Sequence, residues 1–364
     1  MRISTKSFIE NMKSISVVIT DFVFIDCTDE KNYAFYVSTD TQAMKIPLDI
    51  SDVKEDEKKI YVINKSEFMH LIQYANGEII LNSDYSYSAN DKAIKGKFES
   101  NDGYAEELES RKILFDHENE YEDFMEVTPS IMEGINNGAV FVSPDSIKPS
   151  ERFLDIQNKK VFSYSKFRIY INDIDVEHDG LLSNEVIKSI QSLGIGAIVK
   201  NNNDSFLITN AQRSIFEYFS TPTDVDFHPV LSEGFQSKIN ATLDFNKVTL
   251  NIDELRNKLD YISFYASKNP NSMFYLNINS DDKVSLSTDE NTFVDISVEN
   301  FDKKEEFETL SVPLDCSSLQ LITSKVGKES ETINLYVSSS VEKKLVLMSF
   351  GDSKETVIVA KLNV

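Results

Sequence analysis

The stretch Lys59–Tyr74, KIYVINKSEFMHLIQY, joins a strand to a helix without an intervening loop. Its first residues form an apolar, β-branched run that is typical of a strand. Asn64 then stands where a helix N-cap is expected, and a helix is predicted through Tyr74. The stretch Lys247–Phe264, KVTLNIDELRNKLDYISF, has the same layout, with Asn251 at the capping position. Two such units far apart in the chain indicate a fold built by repetition.

The repetition extends to the thirds of the chain. Each third has the same predicted order of elements: a short strand, a helix, several strands, a second strand–helix pair and further strands. The predicted helices cover Lys6–Ser14, Asn64–Tyr74, Pro129–Asn136, Ser183–Leu193, Ile252–Phe264 and Cys316–Lys325. This layout predicts a mixed α and β fold with two amphipathic helices in each third.

Two polar stretches separate the thirds. One is the Glu-rich segment from Ala105 to Asp123, and the other runs from Pro222 to Ala241 and contains the turn residues Pro229 and Gly234. We therefore predict three domains, over residues 1–118, 119–237 and 238–364.

The charge balance limits the ways in which the chain could bind DNA. The 364 residues carry 60 acidic and 37 basic side chains, a net charge of -23, and each third is acidic. Proteins that read DNA grooves have the opposite sign, because phosphate contacts dominate their affinity. Two interpretations remain: the protein does not bind nucleic acid, or it holds DNA topologically with few contacts.

The residue types that bind metals or form disulfides are sparse. Cys27 and Cys316 lie in unrelated segments, which fits a reducing cytoplasm, and the four histidines show no metal-ligand spacing. The N-terminal stretch lacks the apolar core of a signal peptide, and no apolar run is long enough for a bilayer. We expect a cytoplasmic protein with no cofactor, no metal and no membrane contact.

Catalytic motifs are also absent from the sequence. The acidic pairs Asp281-Asp282 and Glu305-Glu306 lie in polar, turn-like stretches, where solvated loops are the better interpretation. Gly194-Ile195-Gly196 is too short for a phosphate-binding loop, and there is no nucleophile elbow. The sequence therefore predicts that the protein is not an enzyme.

Three strings, together with the layout and length, resemble the bacterial DNA polymerase III beta-subunit sliding clamp family. Phe162–Ile169 stands where such clamps have a pattern close to Ala-Thr-Asp-Gly-His-Arg-Leu, of which only Arg168-Ile169 matches well. Phe227–Leu231 resembles the aromatic-proline connector between the second and third domains. Val357–Leu362 resembles the apolar C-terminal strand, although the family's Met-Pro-Met is missing. Such divergence is expected of a viral clamp, for example one encoded by a phage, or of a plasmid-borne clamp in a bacterial cell.

The resemblance implies an α+β fold of three repeated clamp domains, with helices lining a ring and β-sheets outside. Two chains would join head to tail into a homodimeric ring around duplex DNA and act as a polymerase processivity factor. Direct DNA contacts would be weak, from helix residues that face inward. The candidates for this face are Lys6, Lys13, Lys65, Gln73, Lys188, Gln191, Arg256, Lys258, Lys325 and Lys328. For each of them alone, an ordinary solvated helix face is an equally good interpretation.

A second implied site is a pocket for short peptide motifs of a DNA polymerase and a clamp loader. Its candidate lining consists of Tyr164, Phe167, Arg168, Ile169, Pro229, Val230, Ile358, Ala360 and Leu362. For single residues such as Ile358, the inward face of an ordinary strand is an equally good interpretation. The resemblance also predicts a ring-closing interface between edge strands near Ile94–Glu99 and near Ser272–Ile278.

Two other classes of function fit parts of the sequence. A β-rich structural or adhesion protein, such as a viral capsid or tail component, would also be acidic and non-catalytic, but most such domains lack two amphipathic helices per unit. An acidic DNA mimic would need its acids on one face, and the basic residues on the predicted helices argue against it.

Overall fold

A computed structural model describes residues 1–39, 41–116, 118–165, 168–202, 205–210, 213–218, 233–288, 292–340, 345–351 and 355–361. Within these residues, one order of elements, strand–helix–three strands, occurs six times. Each of the three predicted domains contains two of these repeats.

The first two repeats lie in the first third of the chain. Repeat one contains β1 (Arg2–Ser4), α1 (Lys6–Val17), β2 (Phe22–Asp26), β3 (Ala34–Ser38) and β4 (Gln42–Pro47), followed by the short β5 (Ile50–Ser51). Repeat two contains β6 (Ile60–Asn64), α2 (Lys65–Tyr74), β7 (Glu78–Leu81), β8 (Ser86–Ala89) and β9 (Ile94–Lys97).

A helix outside the repeats, α3 (Ala105–Asp116), comes next. Repeat three contains β10 (Glu122–Glu126), α4 (Pro129–Ala139), β11 (Phe153–Gln157), β12 (Lys160–Ser165) and β13 (Arg168–Asp173). Repeat four contains β14 (Gly180–Ser183), α5 (Asn184–Leu193), β15 (Ile198–Asn201), β16 (Ser205–Asn210) and β17 (Arg213–Tyr218).

A second extra helix, α6 (Glu233–Thr242), precedes the last two repeats. Repeat five contains β18 (Asn246–Asn251), α7 (Ile252–Ala266), β19 (Met273–Asn279), β20 (Val284–Ser287), β21 (Phe293–Ile296) and an added strand, β22 (Val298–Asp302). Repeat six contains β23 (Thr309–Asp315), α8 (Cys316–Lys325), β24 (Thr332–Val337), β25 (Leu345–Phe350) and β26 (Thr356–Ala360).

Helices α2 and α7 begin where their N-caps were predicted. The Asn64 side chain accepts hydrogen bonds from the backbone N–H groups of Ser66 and Glu67 at 3.0 and 3.3 Å. Asn251 accepts from those of Asp253 and Glu254 at 3.1 and 3.0 Å. The first turn of a helix has amide groups without helical partners, and these side chains satisfy two of them in each case.

The strands form four antiparallel sheets within the described residues. Their orders are β5-β1-β7-β8-β9, β10-β15-β16-β17-β4-β3-β2-β6, β14-β11-β12-β13-β26-β25-β24-β18-β22 and β21-β20-β19-β23. In every repeat, the first strand belongs to one sheet and the three strands after the helix belong to another. Each of the six helices within the repeats therefore connects a strand of one sheet to a strand of another.

The chain forms two compact units, residues 1–132 with 185–221 and residues 133–184 with 222–364. In the first unit, Phe8 of α1 packs edge-on against Phe35 and Phe68 with ring centroids 5.0 Å away. In the second unit, the backbone at Gly327 packs closely against the ring of Phe350. A Cβ at this position would lie 2.7 Å from a ring carbon, so glycine is required there. The aromatic and aliphatic side chains that face the helices form the core of each unit.

Helices α3 and α6 lie in the two stretches that were predicted to be polar linkers. Their few apolar residues are separated by glutamate, serine and lysine, so the repeat of apolar residues that would predict a helix is weak. No helix in the described part of the chain is long and apolar enough to cross a membrane.

Candidate nucleic-acid and peptide interfaces

Helix α1 presents two predicted DNA-facing lysines on one exposed side. Lys6 and Lys13 are seven residues apart, close to two helical turns, and both are exposed, while Phe8 and Ile15 face the core. Glu10 lies on the same side, with a carboxylate oxygen 3.9 Å from the Lys6 ammonium. The exposed side of α1 is therefore basic but not uniformly so.

Helix α2 places its two predicted residues differently. Gln73 is exposed, whereas Lys65 lies at the buried edge and donates a hydrogen bond from Nζ to the carbonyl oxygen of Val18. Burial lowers the pKa of the Lys65 ammonium. Lys65 thus holds the end of α1 against the start of α2 and is a poor candidate for phosphate contact.

On the other helices, too, some predicted DNA-facing residues are exposed and others are partly buried. On α5, Lys188 is exposed and Gln191 is half-buried. Lys325 ends α8 and is exposed, and Lys328 is exposed in the turn beyond it. Lys258 on α7 is half-buried.

Arg256 of α7 is bound within the protein. Its Nε and one terminal nitrogen donate to the carbonyl oxygen of Thr323 at 3.0 and 2.6 Å, and that nitrogen also donates to Gly327 at 2.8 Å. The other terminal nitrogen lies 2.7 Å from an Asp253 carboxylate oxygen. Arg256 therefore braces α7 against the C-terminal end of α8, where unpaired carbonyl groups accumulate.

Three of the predicted pocket residues form one row across the nine-stranded sheet. Tyr164 pairs with Ile169 between β12 and β13, and Ile169 pairs with Ile358 between β13 and β26. Directly paired residues of antiparallel strands share a face, so these three side chains lie side by side. Ala360, two residues after Ile358, lies on the same face.

The same face carries a small apolar cluster of Phe162 and Tyr164, with the half-buried Ile169 and Ile171 packed against it. Tyr164 and Ile358 are themselves 8% and 2% exposed, so Ile169 and Ile171 form the part of this apolar face that remains open to solvent. Four further predicted residues, Phe167, Pro229, Val230 and Leu362, lie outside the described residues.

Arg168 lies on the opposite face of the sheet from this row. It neighbours Ile169 on one strand, and successive side chains of a strand alternate between faces. Its Nε donates to Ser165 Oγ at 2.9 Å, and its guanidinium stands 5.7 Å from the ring centre of Phe141. Burial lowers the pKa of Arg168.

A buried polar cluster beneath that opposite face was not anticipated from the sequence. Tyr170 OH and Asn137 Nδ2 both donate to one oxygen of Glu355, each at 2.6 Å. Burial, followed by the charge of Glu355, raises the pKa of Tyr170. The cluster connects α4 to the sheet. Its members lie far apart in the chain, so no local sequence pattern predicts it.

Two edge strands were predicted to close the ring. One of these predictions is confirmed as an edge and the other is wrong. Among the described residues, β9 is a free sheet edge, as predicted near Ile94–Glu99. The strand near Ser272–Ile278 is β19, which pairs with β20 on one side and β23 on the other. The two edges of this four-stranded sheet are β23, directly beside β19, and β21, beyond β20.

Side chains around β9 and β21 have complementary chemistry. Strand β9 carries the exposed Lys95 and Lys97, whereas β21 carries the exposed Asp295. Beside β21, large apolar side chains remain open to solvent: Phe293 is 61% exposed, and Tyr261 and Phe264 of α7 are 52% and 65% exposed. Exposed aromatic groups in one area indicate a contact surface.

No protein-family model and no curated protein sequence matches the chain. Solved structures match it over its full length. The DNA polymerase III β subunit of Thermotoga maritima is 15% identical at a TM-score of 0.75, covering 100% of this chain and 99% of that one. The β chain from Streptococcus pneumoniae is 12% identical at 0.73, covering 100% and 99%.

The Helicobacter pylori β clamp bound to a DNA ligase peptide is 14% identical at a TM-score of 0.73, with both chains covered completely. At these identities the likeness is one of fold. The chain has the sliding-clamp fold, of mixed helices and strands in repeated domains, which confirms the fold class predicted from the resemblance.

Proposed function

We propose that the chain is a DNA sliding clamp, a non-catalytic processivity factor built from three domains over residues 1–118, 119–237 and 238–364. The observation that carries this proposal is the full-length match to β clamps, with every repeat included. A partial match would support only a shared domain. Here all six repeats fall within the matched length.

Two copies form the ring by joining β9 and α2 of one chain to β21 and α7 of the other. Backbone groups at two free edges can extend one sheet across the interface. Lys95 and Lys97 meet the acidic edge that contains Asp295, and the exposed Phe264 and Phe293 become buried. Because the two edges differ, each contact is heterologous. Two such contacts, related by symmetry, close the ring.

The oligomeric state tests the ring. A mass of twice the 41.4 kDa chain is expected, with Phe264→Asp giving monomers. Ile147→Asp is the matched control, because Ile147 is 93% exposed and lies outside the proposed interface. A compact wild-type monomer at all concentrations would contradict a dimeric ring.

Duplex DNA is held topologically inside the ring. The exposed Lys6, Lys13, Lys188 and Lys325 make weak phosphate contacts, and the net charge of -23 disfavours DNA elsewhere. This arrangement resolves the conflict between an acidic chain and a DNA-binding role, because a closed ring needs little affinity per contact.

Retention on DNA tests topological binding. The chain, opened and reclosed around nicked circular or linear duplex, is expected to stay on the circle and to leave the linear molecule through its ends. Equal loss from both would exclude encirclement and would favour a structural or adhesion protein.

A short apolar peptide of a DNA polymerase or a clamp loader binds the row formed by Tyr164, Ile169 and Ile358, with Ala360 beside it. The half-buried state of Ile169 and the in-register alignment of the three residues support this site. The Helicobacter pylori β clamp is an example of a protein of this fold that binds a peptide, in that case from DNA ligase.

Binding of a polymerase-derived peptide tests the pocket. Ile169→Asp places a charge in the row and is expected to weaken binding at least about tenfold, since one buried aliphatic contact is worth roughly 1.5–3 kcal/mol. Ile19→Asp, at an exposed position of the first unit, is the control. Unchanged affinity in a folded Ile169→Asp chain would place the peptide elsewhere.

A further inference from the structure

Two Asn-Gly dipeptides occur in the sequence, Asn76-Gly77 and Asn137-Gly138. In such a pair, the backbone nitrogen of the glycine can attack the amide carbon of the asparagine side chain, because glycine has no Cβ to shield that nitrogen. The attack requires that the asparagine side chain can move and that the glycine is accessible. The fold exposes one of the two pairs and encloses the other.

The pair Asn137-Gly138 is enclosed. Both residues belong to the last turn of α4, where backbone N–H groups take part in helical hydrogen bonds, and Asn137 Nδ2 donates to Glu355 at 2.6 Å. Gly138 is buried, and a Cβ built there would lie 2.5 Å from a methyl carbon of Leu154. Asn137 can therefore react only when α4 opens.

The pair Asn76-Gly77 is open. Both residues lie in the turn between α2 and β7, and both are exposed. Within the residues that the structure describes, no hydrogen bond engages the side-chain amide of Asn76. Gly77 has a φ of +87°, and a Cβ built there would meet nothing within 4 Å, so ring closure encounters no steric obstacle. Neither a polar partner nor packing therefore protects Asn76.

The same turn anchors two neighbouring segments. Asn90, in the hairpin between β8 and β9, donates from Nδ2 to the Tyr74 carbonyl oxygen at 2.7 Å and accepts at Oδ1 from the Asn76 backbone N–H at 2.6 Å. The Gly77 carbonyl oxygen accepts from the backbone N–H and the hydroxyl of Thr5, at 2.9 and 3.0 Å. The turn thus ties the end of α2 to the start of α1 and to the hairpin that contains β9.

We propose that Asn76 is a site of spontaneous deamidation, and that its product loosens the edge of the chain formed by α2 and β9. The backbone nitrogen of Gly77 loses its proton and forms a bond to Cγ of Asn76, and ammonia leaves. Water from the solvent then opens the cyclic imide at either of its carbonyl groups, which gives aspartate or isoaspartate. The reaction consumes one water molecule, releases one ammonia and needs no oxidant or enzyme.

The products disturb the anchors of the turn. Isoaspartate routes the main chain through the former side chain, which lengthens the path to Gly77 by one carbon–carbon bond of about 1.5 Å. The contacts with Asn90 and Thr5 then no longer fit together. Both products also add a carboxylate just beyond the C-terminal end of α2, where the helix dipole disfavours negative charge. Modified chains therefore close the ring less well, a consequence that rests on the proposed clamp function.

Mass spectrometry of peptides from the aged full chain tests the site. In the native chain at mildly alkaline pH, Asn76 is expected to convert at least about a hundredfold faster than Asn137, because α4 must open before Asn137 reacts. Isoaspartate is expected among the products. In a chain unfolded by urea, the two rates are expected to become similar.

Asn76→Gln is the matched control, because glutamine must form a larger cyclic imide and does so more slowly. It is expected to remove the fast conversion. Native conversion of Asn137 at the rate of Asn76 would overturn the proposal. So would an Asn76 that converts in urea but not in the native chain.

Sedimentation of fresh and aged chains measures the consequence for the ring. The dissociation constant of the dimer is expected to rise about two- to fivefold in Asn76→Asp, the factor that a misplaced charge at a helix end implies. It is expected to rise further in the aged wild type and to stay unchanged when Asn76→Gln is aged. Equal dimerisation of fresh and converted chains would refute the loosening of the edge. A chain that is monomeric throughout would refute the ring, whereas the mass measurement requires no dimer and decides the site by itself.

Discussion

At the scale of single residues, basic side chains that look equivalent in the sequence have different roles. Lys188 and Lys325 are exposed, whereas Lys65 and Arg256 donate hydrogen bonds to backbone carbonyl groups. A cation used in this way stabilises the protein and is not available to phosphate. The two groups therefore predict opposite effects of mutation on stability and on DNA binding.

Arg256→Ala is expected to lower the free energy of unfolding by about 2 kcal/mol, because it removes charge-assisted hydrogen bonds to Thr323 and Gly327. Urea denaturation measures this change. Lys325→Ala, at an exposed position, is the control and is expected to change stability by less than about 0.5 kcal/mol. An Arg256→Ala chain that keeps wild-type stability but loses DNA retention would contradict the assigned role.

The ion pair between Lys112 and Asp26 predicts a pH dependence of stability. Burial alone would favour the neutral amine, but the hydrogen bond and charge of Asp26 outweigh it, and the pKa of Lys112 is raised from its ordinary 10.5. A group whose pKa is raised on folding stabilises below its unfolded pKa, and the stabilisation is lost as pH rises through the folded pKa.

We expect Lys112→Gln to unfold more easily than wild type by a constant amount between about pH 7 and about pH 10, with the difference shrinking above that range. Thermal melts of both chains across this range measure it. Lys31→Gln removes an exposed lysine in the turn between β2 and β3 and should show no such trend. A difference that grows with alkaline pH would refute the pair as described.

The two cysteines predict a chemical test at the same scale. Burial, then nearby carboxylates, raises the pKa of Cys27 and of Cys316 to about 12. Both thiols are therefore expected to resist a thiol reagent at about pH 8 in the native state and to react on unfolding. Ser324→Cys supplies an exposed comparison on α8, and native reaction of Cys27 at its rate would contradict the packing.

At the scale of elements, the joint between a strand and a helix recurs through the chain, and an N-cap side chain fixes it in α2, α7 and α8. Asn251→Ala is expected to cost about 1 kcal/mol, and Asn251→Asp much less, because aspartate can accept the same two hydrogen bonds. The urea midpoints of the two variants measure the effect. Equal destabilisation by both would mean that the amide nitrogen of Asn251, and not its oxygen, matters.

At the scale of the whole molecule, net charge and topology act together. Affinity for linear duplex is expected to fall steeply between about 50 and about 200 mM salt, because it depends on phosphate contacts. Retention on closed circles is expected to change little over the same range, since the proposed ring could leave a circle only by opening. Single-molecule or gel-filtration retention assays measure both, and a parallel loss from circles and linear DNA would contradict a closed ring.

The sequence alone determined the repeated strand–helix order and the N-caps at Asn64 and Asn251. These features depend on neighbours a few residues apart, such as an apolar period or a capping oxygen, and local patterns record them. The fold class followed from their order and from the resemblance of three short strings.

Only the tertiary structure decided which strands are edges, which cations are free and what covers each sheet. Strand β19 is interior because β20 and β23 flank it, and Arg256 is bound because α8 ends beside it. The helix α3 was not predicted, because its few apolar side chains form a helical face only through their contacts with Phe24 and Tyr36, which are distant in the chain. Contacts between residues distant in the chain leave no period in the sequence, so their consequences appear only when the sheets are assembled.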